Sequence, residues 1–146
     1  MASRHADWMK QGLRDLGHGR HSLEAGDFEW ACFAAQQGAE KAVKAVIEKA
    51  GGVAWGHSVT ALLEALPESL PSGQQLLDAA KALDKHYIPA RYPNSHPQGA
   101  PYEYYTRAEA ESALANAAQI IDFCEGILAG PRSVDGASPS GSPDAG

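Results

Sequence analysis

The stretch Asp27-Phe28-Glu29-Trp30-Ala31-Cys32-Phe33-Ala34-Ala35-Gln36-Gln37-Gly38-Ala39-Glu40-Lys41-Ala42-Val43-Lys44-Ala45-Val46-Ile47 decides the fold class. Phe28, Cys32, Ala35, Ala39, Val43, Val46 and Ile47 recur at intervals of three and four residues, the period of one helix face. Asp27 is a residue suited to cap its start, and Gly51-Gly52 stops it. Ala31, Ala34, Ala35, Gly38, Ala39 and Ala42 are small enough to let more than one neighbour approach closely, so this helix is expected at the centre of a helical bundle.

Upstream, Met9, Leu13, Leu16 and Leu23 predict a helix from Arg4 to Ala25, closed by Gly26 in the left-handed conformation. Downstream, Val59, Leu62, Leu63 and Leu66 predict a short helix from Ser58 to Leu66, ended by Pro67. Ser72-Gly73-Gln74-Gln75 has the spacing of a capping box and opens a fourth helix through Leu76, Leu77, Ala80, Leu83 and Tyr87. Thr106-Arg107-Ala108-Glu109 has the same spacing and opens a fifth through Ala110, Leu114, Ala117, Ile121, Cys124 and Leu128. No segment alternates with the period of a strand. The expected fold is all-α, an antiparallel up-and-down bundle of about five helices.

A chain of 146 residues accommodates one domain, read as residues 1–129. Residues 130–146 are rich in Pro, Ser and Gly and are expected to form a disordered tail without a site. With 18 acidic and 12 basic side chains the net charge is -6. Nucleic acid and anionic membranes are therefore repelled overall, and any such contact must be local. Cys32 and Cys124 each lie in an apolar run and make no disulfide framework, so a reducing cytoplasmic location is expected. No apolar run has the length of a membrane span, and the N-terminus lacks the apolar core of a signal peptide. His18 and His21 lie near Asp15 and Glu24 on the first helix, but the carboxylate-and-histidine repeats of di-iron bundles are missing. No metal site and no cofactor are assigned.

Between Ile88 and Tyr105 about eighteen residues carry no helical pattern, whereas bundle connections usually take ~2–8 residues. Pro89, Pro93, Pro97 and Pro101 recur every fourth position and stiffen the segment. It also holds Arg91, Tyr92, Asn94, Ser95, His96, Tyr102, Tyr104 and Tyr105, the densest polar and aromatic cluster in the chain. Long ordered loops of this kind tend to carry function.

The run Leu83-Asp84-Lys85-His86-Tyr87-Ile88-Pro89-Ala90-Arg91-Tyr92-Pro93-Asn94, with Gln36-Gln37-Gly38-Ala39-Glu40-Lys41-Ala42-Val43-Lys44-Ala45 and His57, resembles the HEPN family (higher eukaryote and prokaryote nucleotide-binding domain) over about Trp8 to Leu128. The resemblance implies an all-helical bundle that dimerises, often paired with a nucleotidyltransferase partner in toxin and antitoxin systems. Many members are metal-independent endoribonucleases marked by an Arg, four to six residues, and a His before the last helix. Arg91 and His96 have that spacing. Tyr92-Pro93 follows the arginine where ribonuclease members often have a small polar residue. Gln98 stands where some members carry a tyrosine that the partner adenylylates.

The chemistry explains the pairing. Metal-free RNA cleavage needs a base for the ribose 2′-hydroxyl, an acid for the leaving 5′-oxygen and a fixed cation for the phosphate. Imidazole titrates near neutral pH, and guanidinium presents a permanently charged fork to phosphate oxygens. A single His serves both proton transfers poorly, which ties catalysis in the family to two copies meeting in a dimer.

The candidate catalytic residues are therefore Arg91 and His96. Candidate phosphate or nucleotide contacts are Arg91, Lys41, Lys44, Tyr92, Asn94 and Tyr104. Arg91 has a structural alternative, either binding the last carbonyls of the fourth helix or pairing with Glu40. Lys41 and Lys44 either extend a basic surface or form a solvated stripe. His57 is expected to help cap the third helix, and Tyr102, Tyr104 and Tyr105 either stack on bases or pack half-buried. Trp8 with Met9, Ile120 with Ile121 and Ile127 with Leu128 put apolar side chains on more than one face of the outer helices, from which a homodimer with Arg91 and His96 near its cleft is expected. Two functions follow: an RNA endonuclease, or a non-catalytic module that binds a nucleotide or a nucleotidyltransferase partner. RNA or a nucleotide is the expected ligand.

Overall fold

The computed structural model describes residues 3–130, so the expected tail beyond Gly130 lies outside the described residues. Five α-helices follow in order: α1 (His5–Ala25), α2 (Phe28–Lys49), α3 (Val59–Glu64), α4 (Gly73–Asp84) and α5 (Arg107–Leu128). Among the described residues there is no strand.

α1 ends where the sequence places it. Gly26 takes a φ of 84°, and the amides of Gly26 and Asp27 donate to the carbonyls of Leu23 and Ser22, a Schellman closure that turns the chain straight into α2. α1 and α2 thus form an antiparallel hairpin. Gly12 and Gly38 face each other across it: a Cβ added at either would sit 2.9 Å from the other's carbonyl oxygen. Gly19 plays the same part against Ala31 and Leu114. The small side chains of α2 announced this close approach, and the matching glycines on α1 complete it.

α2 packs against α1, α5, α3 and α4 and is the central helix. Cys32, Val43 and Val46 from α2, Val59 from α3, Leu83 from α4, and Ile120, Ile121 and Cys124 from α5 fill the core. Burial pushes the thiols of Cys32 and Cys124 up to about 12, so both stay protonated and serve as small apolar side chains. Ile120 and Ile121 are both fully buried, because α5 lies against α1, α2 and α4 at once. That pair is accounted for within one chain and marks no outer apolar face.

Three end signals behave differently from one another. Thr106 and Glu109 close the predicted capping box on α5, with reciprocal bonds of 3.1 Å. Asp27 occupies the start of α2 but makes no capping bond with its side chain. The Ser72 box on α4 does not form: the Ser72 side chain makes no capping bond, and Gly73 enters the helix at a φ of 81° instead of a helical value. α4 also stops at Asp84 instead of running to Tyr87, and the chain continues in tight turns to Arg91.

Asp84 is engaged elsewhere. Its carboxylate accepts from the amides of Val59 (2.7 Å) and Thr60 (3.1 Å) and from the Ser58 hydroxyl (3.0 Å). Ser58 in turn caps Ala61. The start of α3 is therefore held by Ser58 and Asp84, not by His57, leaving the imidazole of His57 for another role.

The Gly12–Gly38 contact sets a sign that distinguishes it from ordinary helix glycines. Gly→Ala in a helix with room for the methyl group gains up to about 1 kcal/mol, and Gly17→Ala, where a Cβ meets nothing within 4 Å, is expected to raise the urea midpoint. Gly12→Ala and Gly38→Ala are expected to lower it, by an overpacking cost of about 1–3 kcal/mol.

Candidate functional site

Arg91 lies in the turns after α4, and its position is fixed by a hydrogen bond to a carbonyl, a longer one from Nη1 to the Tyr92 hydroxyl (3.5 Å), and three rings. Nε donates to the Tyr87 carbonyl at 2.9 Å. Cζ stands 4.4 Å from the ring centroid of Phe33, 4.6 Å from that of Tyr87 and 4.9 Å from that of Tyr92. Phe33 comes from α2, so the central helix supplies the floor of the cage. Trp30, one turn earlier, meets Phe33 edge-on at 6.1 Å and is half exposed. Together with Gln37, Lys41, Asp15 and His18, these two rings line a cleft of about 230 Å³ between α1 and α2.

The expected Arg91–Glu40 pair is not formed. Glu40 is buried, and its carboxylate is already taken: Oε2 accepts from Lys44 Nζ at 3.0 Å and meets His57 Nδ1 at 3.1 Å, while Oε1 accepts from Gln36 and Gln37, each at 3.2 Å. The i, i+4 spacing of Glu40 and Lys44 places both on the inner side of α2. Lys44 is buried too, with its ammonium over the Trp8 ring. Lys41 pairs with Asp15 at 2.7 Å. Neither lysine belongs to a solvated stripe, and both charges are neutralised by carboxylates, so they do not extend a basic surface. Among the described residues no carboxylate lies within ion-pair distance of Arg91.

His57 joins the two halves of this region. Its Nδ1 meets Glu40, its backbone carbonyl accepts from Gln36 Nε2 at 2.9 Å, and its ring stacks on Tyr87 at 4.7 Å and 17°. Tyr87 thus belongs to one aromatic system in which the imidazole of His57 and the guanidinium of Arg91 are both neighbours.

His96 is placed by the proline-rich loop, which contains two single 3-10 turns, Pro93–Ser95 and Pro101–Glu103. Its Nε2 lies 2.8 Å from the Pro89 carbonyl, an acceptor, so Nε2 carries the proton and Nδ1 keeps its lone pair. Its ring stacks on Tyr104 at 4.4 Å and 15°, and the Tyr104 hydroxyl donates to the Gln98 carbonyl. Arg91 and His96 are therefore tied to carbonyls two residues apart, without touching each other. Tyr92 is half exposed, and Asn94 is exposed with its amide unengaged. Tyr105 bonds His86 at 3.1 Å; burial lowers the His86 pKa and raises that of Tyr105, so this contact is a neutral brace between loop and bundle. Among the described residues no three His, Cys, Asp or Glu side chains are grouped as a metal site requires, and no helix is long and apolar enough to cross a membrane.

A family model for the HEPN domain matches residues 5–127. Among solved structures, the chain is similar to TT1696 from Thermus thermophilus, with 50% sequence identity and a TM-score of 0.84 over 86% of this chain and 98% of that one. It is similar to ST0689, an archaeal HEPN homologue, at 41% identity and a TM-score of 0.72 over 86% and 98% of the two chains. An HEPN domain protein of Thermotoga maritima is 40% identical, with a TM-score of 0.63 over 84% and 98%. No curated protein matches.

The charge arrangement predicts two different stability losses. Arg91→Ala strands no buried carboxylate, so it should cost the ring contacts and the hydrogen bond to the Tyr87 carbonyl, about 1–2 kcal/mol. Glu40→Ala leaves the Lys44 ammonium buried without its partner and should cost about 3–5 kcal/mol. Thermal melts of the two variants, run side by side, check the order.

Proposed function

Because this chain belongs to the HEPN domain family, we propose that it is a phosphate-binding module for single-stranded RNA or a nucleotide, with Arg91 as the phosphate contact. One observation carries the reading: a guanidinium held by three rings and a backbone carbonyl, with no carboxylate within ion-pair distance among the described residues. Nε is spent on the Tyr87 carbonyl, which fixes the plane of the fork; Nη1 makes only a long contact of 3.5 Å to the Tyr92 hydroxyl, and Nη2 has no protein partner among the described residues, so the fork's outer edge faces an incoming anion. The aromatic walls lower the local dielectric and strengthen any such contact relative to water. Tyr92, Tyr102 and Trp30 are exposed rings on which bases can stack. The site is local, as the acidic net charge requires.

A second reading is metal-independent RNA cleavage by Arg91 and His96 in a homodimer, in the toxin and antitoxin setting with a nucleotidyltransferase partner that the family suggests. The free Nδ1 of His96 favours it, since a fixed tautomer with one open lone pair is what a general base needs.

Fluorescence anisotropy with a labelled single-stranded oligoribonucleotide tests the first reading. Arg91→Ala is expected to weaken binding by about 10- to 100-fold, the worth of a hydrogen-bonded charge contact. Arg91→Lys should recover little of it, because an ammonium lacks the two-pronged fork. Unchanged affinity in Arg91→Ala overturns the reading. For the second, RNA incubated in chelator should be cleaved by the wild type and not by His96→Ala.

A further inference from the structure

We propose that His57, oriented by the buried Glu40 carboxylate, is the proton-transfer residue of the Arg91 site, acting on a ribose 2′-hydroxyl. This rests on phosphate binding at Arg91. Glu40 Oε2 accepts from Lys44 Nζ and meets His57 Nδ1, and a carboxylate paired with an ammonium is an acceptor, so His57 donates through Nδ1–H and its tautomer is fixed. The other nitrogen, Nε2, then carries the lone pair. It has no partner among the described residues, and the His57 side chain is 54% exposed, against 5% for Glu40. A buried carboxylate behind an imidazole whose far nitrogen opens to solvent is the arrangement that orients a general base.

The imidazole is also held in place on both remaining sides. Gln36 fixes the His57 backbone, and Tyr87 stacks against the ring. Tyr87 is the same ring that supports the Arg91 guanidinium at 4.6 Å. In RNA the 2′-hydroxyl and the 3′-phosphate are on adjacent carbons, so a base and a phosphate clamp serving them must be near neighbours, and Tyr87 is their common neighbour here. The groups facing His57 are Glu40, with Lys44 on the same carboxylate oxygen, and Tyr87. His96 differs: its imidazole also stacks on a tyrosine, but it is tied to the Pro89 carbonyl and has no carboxylate behind it among the described residues.

The step balances without an added reagent. His57 Nε2 takes the proton of the 2′-hydroxyl, the O2′–P bond forms, and the P–O5′ bond breaks. The leaving 5′-oxygen takes a proton from water, His57 returns its own to solvent, and the products are a 2′,3′-cyclic phosphate and a 5′-hydroxyl.

The test uses the full chain in chelator with two probes, a 5′-labelled single-stranded oligoribonucleotide of mixed sequence and its 2′-O-methyl counterpart, which binds but has no nucleophile. Wild type is expected to cleave the first, leaving cyclic phosphate ends by mass spectrometry. His57→Asn keeps a donor for Glu40 and removes the base. It should lower kcat by about 100-fold or more while the affinity for the 2′-O-methyl probe stays that of the wild type. In His57→Ala, added imidazole should restore part of the rate. Cleavage that persists in His57→Asn, or a wild type that binds the probe in an Arg91-dependent way without cleaving RNA, overturns the assignment of His57 alone. Loss of activity only in His96→Ala does the same. Probe binding that ignores Arg91→Ala instead overturns the phosphate-binding reading, and this inference with it.

Discussion

A carboxylate sealed inside a helical bundle is tolerated only if its charge and its lone pairs are met, and in this protein that demand falls on Glu40. Lys44 supplies the opposite charge, and Gln36, Gln37 and His57 supply the remaining hydrogen-bonding groups. Satisfying one side chain on α2 therefore draws in the segment ahead of α3, which has few other anchors: Val53 and Trp55 within it are largely exposed. His57 then positions Tyr87, and Tyr87 bears on Arg91. The arrangement of the candidate site is thus a consequence of how the core accommodates an ion.

Charge in this region is concentrated and not spread. Lys41 and Lys44, which sequence alone offered as a basic surface, are each matched to a carboxylate. What remains is a single guanidinium between rings. A protein of net charge -6 gains little from long-range attraction to a polyanion, so the phosphate binding proposed for Arg91 would depend on short-range geometry at that one cation.

Much of the fold was legible because its signals are local. The α2 stripe, the Gly26 closure and the Thr106–Glu109 box all act within one or two helical turns, the range over which sequence periodicity speaks. The misreadings share the opposite character. Asp84 leaves its own helix end to bind Val59 and Thr60, and the Ser72 box yields to the positive φ of Gly73. Glu40 was offered as a partner for Arg91 because it is the acidic residue set within the small-residue stretch of α2. The i, i+4 spacing of Glu40 and Lys44 was a local signal for the true pair. In the candidate site, the sequence singled out Arg91 and the loop around it as candidates. Phe33 gave no sign of lying beneath the guanidinium, since an aromatic residue in a helical stripe reads as core. His57 was seen only as a capping residue, because the buried carboxylate that orients it lies on another helix.

The cage around Arg91 takes Phe33 from α2 and Tyr87 and Tyr92 from the far side of α3 and α4. No contiguous fragment of the chain short of that span contains it, and α5, which closes the core over α2, comes later still. A ligand at this cage therefore finds its site only on the fully assembled bundle and has nothing equivalent to hold on the unfolded chain. By mass action its binding energy is added to the stability of the whole fold, which makes occupancy of Arg91 a thermodynamic report on complete folding.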